Sequence, residues 1–129
     1  MTATVELNDV YPVVRELIAD GLGIEIEDIQ PDSLFEDDLG GESIDYLDLQ
    51  FQVEKRLGIK NSILGVIKHD AWECDADGRL TPSCLVRLQT QYATLDWTPL
   101  TSQPGPQLPK QLMTVGNICK LIQHAARQQ

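Results

Sequence analysis

The sequence predicts an all-α domain. Three observations carry that expectation. Apolar residues recur at helical spacing in several stretches. No segment keeps a convincing period-2 alternation. Capping residues, glycines and prolines fall where such helices would begin and end. The chain has 129 residues, and 42% of them are apolar, enough for one compact unit with its own core. No internal repeat is visible.

The first helix is expected over residues 9–20. Asp9 is placed as N-cap, Pro12 lies in the first turn, and Val10, Val14, Leu17 and Ile18 share a face. Gly21 is placed to end it. Residues 22–42 read as a loop punctuated by Gly23, Pro31, Asp32, Ser33, Gly40 and Gly41. Its apolar residues (Leu22, Ile24, Ile29, Phe35, Leu39) suggest that it packs onto helices.

A second helix fits residues 43–57, with Ser43 as N-cap and Gly58 as its stop. Asp45 and Asp48 lie early in it, and Lys55 and Arg56 lie in its last turn, as the helix dipole favours. Its apolar residues form two stripes. Leu49, Val53 and Leu57 make one, and Ile44, Leu47 and Phe51 make the other. One stripe satisfies a core; the second implies another contact surface.

Residues 60–112 are less regular. A short helix is expected over Ser62–His69. Another begins at Thr81 (N-cap) and Pro82, with Leu85, Leu88 and Tyr92 on one face. Pro99, Pro104, Gly105, Pro106 and Pro109 argue against regular structure after it. A last helix is capped by Thr114, with Val115, Ile118, Leu121, Ile122 and Ala125 on one side.

Charge is unevenly distributed. The formal net charge is −10, yet residues 1–54 hold fifteen acids and one base, Arg15, while residues 55–129 hold five acids and nine bases. The deficit of Lys and Arg argues against nucleic-acid binding and against a membrane-surface helix. No apolar run reaches the ~18 residues of a spanning helix, and the first residues lack a basic-then-apolar signal, so a cytoplasmic, soluble protein is expected. It is also expected to be a monomer. Three cysteines (Cys74, Cys84, Cys119) argue against a disulfide framework. Together with His69 and His124 they match no zinc spacing, so no metal site is expected. The run Glu73–Leu80 echoes a calcium loop, but Cys84 occupies the place of the bidentate Glu, and Asp77-Gly78 reads better as a turn.

The sharpest feature is Asp38-Leu39-Gly40-Gly41-Glu42-Ser43-Ile44-Asp45. An acidic turn with two glycines delivers a serine to the start of an acid-rich helix, with the backbone slim enough for another protein to reach the hydroxyl. A catalytic serine needs a base within reach. The two histidines lie 26 and 81 residues downstream. No catalytic residue is therefore assigned, and a serine presented to a modifying enzyme fits better.

The string Phe35-Glu36-Asp37-Asp38-Leu39-Gly40-Gly41-Glu42-Ser43-Ile44-Asp45 resembles the attachment signature of acyl carrier proteins. The resemblance takes in Leu22-Gly23-Ile24, Ile29-Gln30-Pro31-Asp32, residues 49–59 and Met113-Thr114-Val115-Gly116-Asn117. It implies an antiparallel four-helix bundle, with residues 60–112 as a long irregular and helical insertion between the second and last major helices of one domain, 1–129. It implies that Ser43 carries 4′-phosphopantetheine, transferred from coenzyme A by a phosphopantetheinyl transferase. The arm would present acyl thioesters to ketosynthases, acyltransferases and similar enzymes of fatty acid, specialised lipid or polyketide biosynthesis, and the helices could shelter the acyl chain. Glu42, Asp45 and Asp48 match the family's acidic partner-docking positions, and Ile44, Leu47 and Phe51 its apolar ones. The paired glycines also resemble peptidyl carrier proteins, and a carrier-derived adaptor without modification is the other alternative. Lys55 and Arg56 stand where many carriers keep acids.

Overall fold

The computed structural model describes residues 7–60 and 72–127. Among these there are five helices and no strand. They are α1 (Leu7–Leu22), α2 (Ser43–Leu57), α3 (Pro82–Gln91), the short α4 (Thr98–Thr101) and α5 (Val115–Arg127). Single 3-10 turns occupy Ile26–Asp28 and Pro109–Gln111. The expected helix at Ser62–His69 lies outside the described residues.

α1 packs against both α2 and α5. Its Val10, Val14 and Ile18 are buried, as are Leu49 and Val53 of α2 and Val115, Ile118, Leu121 and Ile122 of α5. Each fully buried aliphatic side chain stabilises the fold by roughly 1.5–3 kcal/mol. The same continuous cluster takes in Trp72, Leu80, Cys84, Leu88, Leu95, Trp97 and Leu100. The second stripe of α2 stays out of it.

α1 is longer than its pattern indicated. It begins at Leu7, so Asp9 lies in its first turn rather than at the cap, and Pro12 lies past that turn at an exposed position. It also runs through Gly21, because left-handed backbone first appears at Gly23, with φ +67°. Gly21 faces α2, where a Cβ would stand 3.5 Å from an Asp48 carboxylate oxygen, an ordinary contact distance. α2 ends as expected at Gly58, φ +70°.

The loop between α1 and α2 is pinned at both ends. Arg15, the one base of the first 54 residues, donates to the Ile29 carbonyl at 3.0 Å. Residues 31–35 then run along the start of α5. Gly116 N–H donates to Pro31 O at 2.8 Å, Val115 N–H to Ser33 O at 2.9 Å, and Phe35 N–H to Met113 O at 3.0 Å. Thr114 caps α5, its hydroxyl accepting from Asn117 N–H at 3.0 Å.

Residues 72–112 of the insertion hold more regular structure than their prolines suggested. Pro99 opens α4 and Pro109 opens the second 3-10 turn, because a first-turn position needs no backbone N–H. Thr81 caps α3 as expected, accepting from Cys84 N–H at 3.3 Å. Residues 75–79 form a turn. The Asp75 carboxylate accepts from the backbone N–H groups of Asp77 and Arg79 at 2.9 and 3.1 Å, which occupies the carboxylate a calcium loop would need.

Candidate functional site

The residues before α2 set the position of Ser43. Phe35 is buried and stacks on Tyr46, ring centres 4.4 Å apart. The Tyr46 hydroxyl donates to Glu36 at 2.9 Å. Burial, then the Glu36 bond and charge, push the Tyr46 phenol well above its ordinary value. Against this aromatic pair lies Gly41. A Cβ there would stand 2.6 Å from a Phe35 ring carbon and 2.9 Å from the Phe35 carbonyl oxygen. Gly41 is therefore required for inward packing and is itself buried. Its role is not the slimness for an approaching protein that the sequence suggested.

Ser43 is the first residue of α2, not its cap. Glu42 is the N-cap, and Asp45 accepts the Glu42 N–H at 2.7 Å, one arm of a capping box. The capping role moves to Glu42 because its extended backbone (φ −124°, ψ 175°) already lies outside the helix. The Ser43 side chain is exposed, and its hydroxyl makes no hydrogen bond to any described residue. An uncommitted hydroxyl at the positive end of a fifteen-residue helix suits a phosphodiester.

The flanking surface is open. Ile44, Leu47 and Phe51 are 67%, 55% and 58% exposed, too much for core residues. Glu42 and Asp48 are exposed beside them; Asp45 is half-buried through its bond to Glu42. The structure thus places all seven sequence-predicted residues within the first nine positions of α2 and its cap. Tyr46 and Glu36 escaped the sequence reading, because the Phe35–Tyr46 stack joins residues eleven positions apart and leaves no periodic signal. Lys110, which pairs with Asp37 across the loop at 3.0 Å, left no sequence signal.

Two spaces adjoin the site. A crevice of only about 10 Å³ separates α1 from α2, lined by Leu17, Ile18, Gly21, Phe35, Asp48 and Leu49 among others. It holds at most about one water. A larger open cleft of about 650 Å³ lies on the other side of the loop, between Pro31, Leu34, Asp38, Pro99, Asn117 and Lys120; Ser43 does not line it. Among the described residues no three His, Cys, Asp or Glu side chains gather as a metal site. None of their helices is long and apolar enough to cross a membrane.

The geometry can be set beside known proteins. Residues 12–69 match the family profile described as phosphopantetheine attachment site. Over 54 residues the chain is 41% identical to acyl carrier protein AcpXL of Mesorhizobium japonicum, covering 42% of this chain and 58% of that protein. It is 39% identical over 49 residues to an acyl carrier protein of Solidesulfovibrio magneticus (38% and 63%). It is 45% identical over 50 residues to acyl carrier protein AcpXL of Rhizobium meliloti (39% and 53%). The chain spans between half and two thirds of the length of these curated relatives. No solved structure matches the chain.

A helical domain with a phosphopantetheine attachment site is the class that these findings define. Within it, the named relatives that this chain resembles are acyl carrier proteins, two of them the specialised form AcpXL. The matched profile denotes a site at which 4′-phosphopantetheine is covalently held.

Proposed function

We propose that Ser43 is the attachment residue and that the chain carries acyl groups as thioesters on its arm. The observation that carries this reading is the exposed, hydrogen-bond-free Ser43 hydroxyl at the start of α2. In loading, Ser43 Oγ attacks the β-phosphorus of coenzyme A and forms a phosphodiester. The bond to 3′,5′-ADP breaks, and a base on the transferase takes the hydroxyl proton. Helix α2 contributes its dipole at the new phosphodiester, and the Glu42–Asp45 cap holds the first turn in place.

The acids Glu42, Asp45 and Asp48 steer the transferase and acyl-handling enzymes such as ketosynthases and acyltransferases. Ile44, Leu47 and Phe51 supply the apolar contact. The finer role lies in fatty acid, specialised lipid or polyketide biosynthesis. An acyl chain shelters in the core only when α1 and α2 part, given the volume between them. The chain works as one carrier domain enlarged from within by residues 60–112, a reading supported by the continuous buried cluster that joins α1, α2, α3 and α5 among the described residues.

Incubation with coenzyme A and a broad phosphopantetheinyl transferase tests this by intact mass. The chain gains one phosphopantetheine, and Ser43→Ala gains none. An unmodified wild-type chain, or equal gain by Ser43→Ala, contradicts it.

A further inference from the structure

The exposed line along α2 continues past its apolar residues. At about 100° per residue, Ile44, Phe51 and Lys55 share one line, with Leu47 beside it. Lys55 is exposed, and its Nζ lies 5.9 Å from the Phe51 ring centre, within range for an ammonium over an aromatic face. Its neighbour Arg56 is engaged elsewhere, 3.6 Å from Glu16 of α1. Glu54 flanks the line on the Leu47 side. The surface is therefore bipolar. It is anionic around Ser43, apolar through Ile44, Leu47 and Phe51, and ends on a cation that any partner covering Phe51 must meet.

We propose that this bipolar line selects the partner. The fitting surface has basic groups at the Ser43 end, an apolar pocket for Phe51, and a carboxylate beyond the pocket for Lys55. The inference rests on the carrier reading and deepens it. A partner basic along its whole contact would set a like charge against Lys55, and such juxtaposition penalises docking. A second copy of the chain fits less well, because fifteen acids and one base in residues 1–54 would bring two acidic halves together. Lys55 lies twelve residues from Ser43, roughly 18 Å along the helix, so it is read by the body of a partner rather than by the groups acting on the hydroxyl.

The probe is a purified ketosynthase from the chain's native genome. Its affinity is measured by surface plasmon resonance for wild type, Lys55→Glu, Lys55→Arg and, as a control of equal charge change, the exposed Arg127→Glu on α5. Lys55→Glu is expected to weaken binding about tenfold, with Lys55→Arg and Arg127→Glu within about twofold of wild type. Circular dichroism confirms that each variant folds. Equal or tighter binding by Lys55→Glu overturns the proposal, as does absence of wild-type binding. A wild-type dimer in sedimentation that Lys55→Glu dissolves also overturns it, by giving the face to a second copy. The carrier reading is judged separately, by loading of the wild-type chain. If Ser43 does not load, the same affinities on the unloaded chain still decide the role of Lys55.

Discussion

The start of α2 and the insertion use their polar groups in opposite ways. Around Ser43 the side chains are left outward: an unbonded hydroxyl, three exposed apolar residues and exposed acids. In the insertion and where it meets α5, polar side chains bond to backbone. Asn117 of α5, 1% exposed, accepts from Asp96 N–H and donates to the Asp96 and Leu112 carbonyls, all at 2.8 Å. Gln107 accepts from Leu80 N–H at 2.7 Å, and Arg79 donates to the carbonyls of Gln103 and Gly105. One region leaves its side chains to solvent. The other spends its polar side chains holding its own backbone.

The sharpest way to break this contrast is at the joint between loop and helix. Gly41→Ala forces a methyl group into Phe35 and is expected to cost about 3 kcal/mol, measured by urea denaturation. A loss below about 0.5 kcal/mol would show that the loop is not held as described. Next comes the clasp. Asn117→Leu removes three hydrogen bonds and strands the buried Leu112 carbonyl, an expected loss of about 2 kcal/mol. Hydrogen exchange should quicken first at residues 95–101, while α1 and α2 keep their protection. Uniform quickening would dissolve the distinction between the regions.

Cysteine chemistry sharpens it further. Cys74 is exposed, whereas Cys84 and Cys119 are buried. Burial pushes the Cys119 thiol from 9.0 up to about 12. Native alkylation followed by peptide mass mapping should label Cys74 far ahead of the other two. The folded state favours the neutral thiol, so this contribution to stability is intact below pH 9 and is lost as pH rises from about 9 toward 12. Tyr46, displaced in the same direction, adds to that alkaline loss. The smallest effect belongs to Lys110→Ala. Its pair with Asp37 is exposed, so about 0.3 kcal/mol or less is expected.

What could be read in the sequence follows the range of the interactions. The helices are local, so α2 with its Gly58 stop, the Thr81 and Thr114 caps and the two stripes were all legible. The capping of α2 was nearly so. Glu42 and Ser43 both stand at its start, and only the backbone at Glu42 assigns the cap. Two glycines, Gly21 and Gly23, could end α1, and only the left-handed backbone at Gly23 assigns the stop there. The insertion was least legible, since its bonds join residues 21 to 27 positions apart and periodicity does not record them. At the site, composition and motif pointed to Ser43 and its neighbours. The Gly41–Phe35–Tyr46 packing that sets their positions depends on contacts no local pattern encodes.

On the proposed function, Ser43 is the residue left free for modification. Peptide mapping of the protein purified from its native cells tests this most directly. Phosphopantetheine is expected on the peptide containing Ser43 and on no other. An unmodified Ser43 peptide in every preparation, or the group on another residue, would contradict it.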